Sequence, residues 1–507
     1  MEPLRLDGAS LTIQAIDQVA AGGHPVALAP RARADMVRSR DLVARLLASE
    51  AKIYGVTTGF GRLASVVISA DQQRDLQRNL VRSHSAGFGA PLSDTEVRAV
   101  MLLRANALAR GHSGCRPEVV ETLVAFLNEG LIPVVPELGS VGASGDLAPL
   151  AHVALNLIGE GRVRVAGATV PAEEAMARAG IRPLELEEKE GLALINGTQA
   201  TTGLGALALG RLSVLADVAD TVGAISLEGL TGSPDPFRPA IHAARPHPGQ
   251  IESAARLWAL LQDSEIRDSH REGDHRVQDP YSLRCMPQVH GAAREALRYA
   301  SDIVTREANS TTDNPLVLPE EDLVVSGGNF HAQIVAQALD LAAIAVADLA
   351  SISERRVERL LNPDLSGLPA FLTPEPGIRS GFMIAQVAAV DALAEMRVLA
   401  HPASVDSVPT SAAQEDHVSM GLASARKLRR SVDLLEAVLA IELLCGVQAL
   451  EYRRPLRSSG PVESVVSAVR EVVPALDEDR VLSDDIALAR RIVAGGALRF
   501  PHLTPPA

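Results

Sequence analysis

Three stretches, roughly Thr201 to Leu227, His331 to Leu361 and Ser419 to Leu450, carry Ala, Leu and Val at spacings that leave little polar face, and they contain little proline. A helix that is apolar on most of its sides has no place on a surface; it belongs inside a bundle or in a subunit interface. The chain is therefore expected to be mainly α, built on a long central helix bundle, and to form a homo-oligomer. Aromatic residues are only 3% of the 507, so Ala, Leu and Val must fill the core. Small side chains of high helix propensity let helix axes approach, which disfavours an all-β fold. The most apolar runs are interrupted by Arg211 and Asp217 and by Asp340 and Asp348, so buried helices are expected rather than membrane spans.

Helix punctuation agrees. Ser93 and Glu96 form a capping-box pattern ahead of Val97, Val100 and Met101, with Gly111 as the stop. Pro117 suits a first turn, and Gly130 follows the periodic Val119, Val120, Leu123 and Phe126. Ser483, Asp484 and Asp485 are expected to start a helix that ends near Gly495. Strand signals are short: Arg162 to Val170 turns around Gly167, and Leu316 to Leu318 faces Leu323 to Val325 across an acidic turn. Both read as short peripheral β-hairpins. Gly232 to Gly249, rich in Pro and Gly, is expected to be a surface excursion.

The balance of 48 basic and 62 acidic residues gives a formal charge of -14, which repels phosphate backbones and anionic lipids. No nucleic-acid or membrane partner is expected. Cys115, Cys285 and Cys445 are odd in number and far apart, with no C-x-x-C, so neither a disulfide framework nor a zinc site is signalled. A reducing, cytoplasmic setting fits, and Glu2, Asp7 and Asp17 argue against a secretory signal. His331, His401 and His417 follow no usual ligand spacing, and no metal is expected.

The most unusual segment is Gly139-Ser-Val-Gly-Ala-Ser-Gly-Asp-Leu-Ala-Pro-Leu150, where small residues crowd Ser144 and leave the backbone free to bend sharply. Three readings compete. A nucleophile elbow needs G-x-S-x-G, which the glycines at 142 and 145 do not supply. An anion-binding turn before a helix, with Asp146 as N-cap, fits the composition. Self-cyclisation, with the Gly145 nitrogen attacking the Ala143 carbonyl and two waters lost, would leave an exposed methylidene carbon at Ser144.

The third reading is carried by resemblance. Gly142-Ala-Ser-Gly-Asp-Leu147 resembles the signature of the aromatic amino acid ammonia-lyases, and the likeness extends through Tyr54-Gly-Val-Thr-Thr-Gly-Phe-Gly61, Asn196-Gly-Thr198, Val277-Gln-Asp-Pro-Tyr-Ser-Leu-Arg284, Thr312-Asp-Asn-Pro315 and Gly327-Gly-Asn-Phe-His331. It implies the helix bundle of the aspartase/ammonia-lyase superfamily and a 4-methylidene-imidazol-5-one group made from Ala143, Ser144 and Gly145. It further implies a homotetramer with shared active sites and a small-molecule amino acid as substrate. Residues 1–115 would form an N-terminal region with a mobile substrate-covering loop near 54–61. Residues 116–507 would form the bundle core, with the prosthetic-group loop and C-terminal helices. An aspartase- or fumarase-like lyase without the group would need a Gly-Ser-Ser-x-Met-Pro-x-Lys-x-Asn loop, and none is found.

The resemblance also implies roles. Tyr281 matches the base or its essential partner, which must be deprotonated or strongly perturbed to work near neutral pH. Tyr54 lies on the closing loop. Arg284 offers a planar fork for the substrate carboxylate. Asn196 and Gln278 orient substrate or stabilise charge, and Phe330 packs beside the group or the ring.

Two segments point to the members that convert L-histidine to urocanate: Ser83-His-Ser-Ala-Gly87, with His84 facing the ring, and Gln414-Glu-Asp-His-Val-Ser-Met420. Glu415 discriminates because an imidazole has an N–H that a carboxylate can accept, whereas a phenyl ring offers nothing to offset burial of the charge; Glu415 is also a candidate base. A tyrosine or phenylalanine ammonia-lyase, or an aminomutase, is the alternative. The chain departs from the family pattern at Met286, His290, Gln333 and Ala413.

Overall fold

The computed structural model describes residues 2–49, 57–59, 65–274 and 276–500. The chain is mainly helical, with 60% of the described residues in helix and a few short strands. The three long apolar runs are helices, Gln199–Gly229, Gln333–Leu361 and Gly421–Glu451, and Met286–Ala308 is a fourth long one. Two of them, Gln199–Gly229 and Gln333–Leu361, are long and apolar enough to cross a membrane, yet 72% and 61% of their most apolar windows are buried inside the protein. That burial is what the charges within these runs require.

Local signals place the shorter helices. Asp94–Ala109 opens on the complete Ser93–Glu96 capping box and stops before Gly111, whose φ is +73°. Pro117–Glu129 begins with its proline in the first turn and ends on Gly130 in the left-handed conformation. The C-terminal helix differs by a residue: it spans Leu482–Ala494, Val481 is the cap, and Ser483 already lies inside. Asp484 and Asp485 occupy the first turn, where carboxylates suit the dipole.

Both expected hairpins form, Arg162–Val165 with Ala168–Pro171 and Leu316–Leu318 with Leu323–Val325. The first is extended by Ile132–Pro133. Two further pairs had no alternating pattern to announce them: Leu4–Leu6 runs parallel to Val26–Leu28, and Phe88–Pro91 antiparallel to Pro136–Leu138. Gly232 to Gly249 is more than a surface excursion. It contains the turn Asp235–Phe237 and the helix Pro239–Ala243, and it buries Phe237 and His242.

The chain divides into two compact units. One comprises residues 1–210, 300–340 and 402–426; the other comprises 211–299, 341–401 and 427–507. In the first, Asp94–Ala109 is buried on nearly every side and packs against helices Ile13–Ala20 and Pro117–Glu129. In the second, the core includes the fully buried ion pair Arg356–Glu442. Cys115 and Cys445 are buried free thiols, and Cys285 is a half-buried one.

Candidate active site

The Ala143–Gly145 segment joins strand Pro136–Leu138 to helix Leu147–Leu157 by a turn tight enough for Gly142 and Ala143 each to bridge to Gly145. Gly142 and Gly145 have φ of +78° and +69°, and a Cβ on Gly145 would lie 2.2 Å from the Gly197 carbonyl oxygen. Only glycine fits. The turn is held at three points: the Asp146 amide donates to the Gly197 carbonyl at 2.6 Å, the Met420 amide to the Val141 carbonyl at 2.9 Å, and the Gly142 amide to Ser140 Oγ at 3.1 Å.

Asp146 does cap a helix, but not the one it precedes. It makes no side-chain cap for Leu147–Leu157. Its carboxylate instead accepts the Thr201 amide at 2.6 Å and the Thr201 hydroxyl at 2.9 Å, satisfying the open first turn of Gln199–Gly229, and Ser140 Oγ at 3.0 Å. Burial pushes the Asp146 carboxyl above its usual range, although the Thr201 and Ser140 hydrogen bonds pull the other way.

Ser144 Oγ donates to Asn196 Oδ1 at 2.8 Å, and Asn196 Nδ2 donates to the Asn314 carbonyl at 2.8 Å. Gly197 has no room for a side chain, since a Cβ would stand 2.2 Å from a guanidinium nitrogen of Arg104. Arg104 is itself buried and donates to Gln199 Oε1 at 2.7 Å and to the Thr312 carbonyl at 3.2 Å. The Asn-Gly-Thr and Thr-Asp-Asn-Pro motifs thus meet beneath Ser144.

Above Ser144 lies a cavity of about 460 Å³ whose walls include Ile68, Leu80, Leu192, His84 and Glu415. His84 ends helix Gln73–His84, and its Nδ1 lies 2.9 Å from the Leu80 carbonyl. With that carbonyl accepting, Nδ1 carries the proton. Burial lowers the His84 pKa, with Leu80 and the charge of Glu415 opposing, so the ring is neutral at pH 7. Glu415 Oε2 accepts from Thr410 Oγ1 at 2.8 Å, while the two backbones pair across a loop in which Ser411, Ala412 and Ala413 all have positive φ. Left-handed backbone in non-glycine residues costs roughly 1–2 kcal/mol each, and such strain collects at functional sites. Ala413 therefore occupies a conformation better suited to asparagine or glycine.

The expected residues divide by location. Ala143, Ser144, Gly145, Asn196, His84 and Glu415 come together in the first unit. Phe330 is in that unit and half-buried, but it does not line the cavity. Gln278, Tyr281 and Arg284 belong to the second unit, where Gln278 is exposed and Tyr281 is 70% exposed. The Arg284 guanidinium stacks 4.5 Å from the centre of the Tyr281 ring, and its Nε donates to the Asp279 carbonyl at 2.9 Å. Tyr54 and most of the 54–61 loop lie outside the described residues; Gly59, Val66 and Ile68, on either side of the gap, line the cavity.

Of the departures, Met286 is buried, and His290 sits between Asp220 and Arg356 at 2.8 and 3.3 Å. Gln333 donates to the Ser404 carbonyl at 3.1 Å. His331 and His417 stack with ring centres 5.9 Å apart. No cluster of three His, Cys, Asp or Glu that could hold a metal occurs among the described residues. Sequence reasoning missed the wholly buried pair Lys189–Asp313. A signal was available: only Lys52, Lys189 and Lys427 are lysines among the 48 basic residues.

Residues 11–471 match the family of aromatic amino acid lyases. A histidine ammonia-lyase of Anaeromyxobacter dehalogenans is 56% identical, over 99% of this chain and 100% of its own. Among solved structures, histidine ammonia-lyase from Trypanosoma cruzi matches with a TM-score of 0.92 at 42% identity, covering 99% of this chain and 96% of that one. Tyrosine aminomutase from Streptomyces globisporus matches with a TM-score of 0.95 at 40% identity, covering 100% of both.

Proposed function

The chain belongs to the aromatic amino acid lyase family, and from that membership we infer that it is a carbon–nitrogen lyase releasing ammonia from L-histidine to give urocanate. The observation that carries the choice of substrate is the convergence of His84 and Glu415 on the cavity over Ser144. Thr410 already donates to one oxygen of that carboxylate; a phenyl ring would bring no donor to the other, whereas an imidazole gives it an N–H to accept. The histidine ammonia-lyase of Anaeromyxobacter dehalogenans, at 56% identity, also lies nearer than the tyrosine aminomutase at 40%.

The Ala143–Gly145 turn suits conversion to 4-methylidene-imidazol-5-one. Positive φ at Gly142 and Gly145 folds it back on itself, and the Gly197 carbonyl fills the space that any third-position side chain would need. Such a group supplies an electrophilic carbon that makes the amino nitrogen a better leaving group. The protein's own side chains do the rest. Arg284 grips the substrate carboxylate with two parallel hydrogen bonds. Asn196 and Gln278 orient the reacting groups, and Phe330 packs beside the ring. Neutral His84 and Glu415 hold the imidazole. Tyr281 takes the β-proton, with Glu415 the alternative base, and Tyr54 is assigned to catalysis by its motif alone.

Gln278, Tyr281 and Arg284 are carried on an exposed segment, and helix Met383–Leu399 exposes Ile384, Val387, Val390 and Val398. Both features suit a homotetramer whose sites are completed by neighbouring copies. Three free thiols suit a reducing, cytoplasmic setting.

Incubation with L-histidine, L-tyrosine and L-phenylalanine separately is expected to give urocanate from the first and little from the others. Arylacrylate from tyrosine with no urocanate from histidine would overturn the reading. The intact chain is expected to be lighter than its sequence by two waters, and Ser144→Ala to abolish both that loss and the activity.

A further inference from the structure

Lys189 Nζ and Asp313 Oδ2 are 2.9 Å apart, and both side chains are 0% exposed. A buried ion pair is a poor stabiliser, because desolvation offsets the attraction and an apolar pair of similar volume often serves as well. Its place in the hydrogen-bond pattern gives it another use. The second carboxylate oxygen of Asp313 accepts the Asn314 amide at 2.7 Å. The Asn314 carbonyl accepts Asn196 Nδ2 at 2.8 Å, and Asn196 Oδ1 accepts the Ser144 hydroxyl at 2.8 Å. Asn314 is tied once more, its own Oδ1 accepting the Gly327 amide at 2.8 Å.

An asparagine side chain has one donating end and one accepting end. With the Asn314 carbonyl fixed, the reverse orientation of Asn196 would set two oxygens against each other. The carbonyl therefore decides which end faces Ser144.

We propose that Asp313, with its buried charge balanced by Lys189, is a positioning residue for maturation of the Ala143–Gly145 turn: by holding the Asn314 backbone it fixes the Asn196 amide, and so aims the Ser144 hydroxyl for its departure. This rests on the reading that the turn cyclises. The chemistry is a balanced loss of two waters. Gly145 N bonds to the Ala143 carbonyl carbon, whose oxygen leaves with the amide protons of Gly145 and Ser144. The Ser144 hydroxyl leaves with that residue's α-proton. Nothing is oxidised or reduced.

Removing one charge alone would strand the other, so the test uses two neutral pairs. Lys189→Met with Asp313→Asn keeps an oxygen for the Asn314 amide; Lys189→Met with Asp313→Leu does not. Full-length chains recovered from inclusion bodies, with the unmodified mass verified before any folding, are folded out of denaturant and their intact mass is followed over days, with melting temperature and far-UV circular dichroism confirming the fold. The first pair is expected to lose its waters within about threefold of the wild-type rate, and the second about tenfold more slowly, a gap of the size that contacts within one network produce. In an Asn196→Ala background the gap is expected to vanish, since the relay runs through that residue. Equal rates for two folded pairs, or a gap that survives Asn196→Ala, would overturn the proposal while leaving cyclisation intact. A wild-type chain of unmodified mass would instead overturn the cyclisation reading itself.

Discussion

The Ser144 turn and the Gln278–Arg284 segment are both assigned to one reaction, yet they are built in opposite ways. Beneath Ser144 nearly every polar group is buried and paired: Asn196 at both ends, Asp146 three times, Arg104 with Gln199 and Thr312, Lys189 with Asp313. The Gln278–Arg284 segment is open, with Tyr281 mostly exposed and Arg284 held by one carbonyl and the face of that tyrosine. On the cyclisation reading, a turn whose amide nitrogen attacks a neighbouring carbonyl has to be immobilised before any substrate arrives. Residues that grip a substrate can wait for the substrate, or for a neighbouring copy, to order them.

Substitutions should separate these two kinds of site. Gly145→Ala places a methyl group 2.2 Å from the Gly197 carbonyl oxygen in a backbone that disfavours it. It is expected to abolish both the loss of two waters and all activity; a lighter, active variant would show that the turn is looser than its geometry implies. Tyr281→Phe should leave the mass change intact while lowering kcat by roughly 10²–10⁴-fold. A change in mass would mean that the exposed segment shares in maturation.

Arg284→Lys replaces a planar fork with a point charge and should raise KM about tenfold or more with a smaller effect on kcat; an unchanged KM would remove Arg284 from the carboxylate. The smallest effect lies away from both regions. Burial pushes the Asp17 carboxyl up to about 6, so the folded state favours its protonated form, and that stability is lost as pH rises from the ordinary carboxylate range through about 6. Relative to wild type, Asp17→Asn should gain melting temperature between about pH 4 and pH 7. A constant difference across that range would remove Asp17 as its source.

What the sequence disclosed depended on how far apart the interacting residues stand. The Ser93–Glu96 box and the Pro117–Gly130 helix are local grammar, complete within a few residues, and they stand as expected. The long helices were legible because their apolar spacing persists over eight turns or so. Asp146 was read as the cap of its own helix because Thr201, its actual partner, is 55 residues away. Lys189 and Asp313 are 124 residues apart, and no periodic pattern encodes such a meeting. The Ala143–Gly145 turn stood out in the sequence through its company of motifs, and the structure brings that company together: Asn196-Gly-Thr and Thr-Asp-Asn-Pro are the underside of the same turn. The parallel pairing of Leu4–Leu6 with Val26–Leu28 left no trace in sequence, since three residues are too few to show alternation.

The attachment of Asp146 to Thr201 has one more consequence. The carboxylate can reach its three donors only once the first turn of Gln199–Gly229 has formed beside the loop. On the cyclisation reading, dehydration at Ser144 then becomes a lasting chemical memory of correct folding, because a backbone that has lost its waters stays altered when the chain is later unfolded. A single mass spectrum of fully denatured material would count which molecules had once reached the native state.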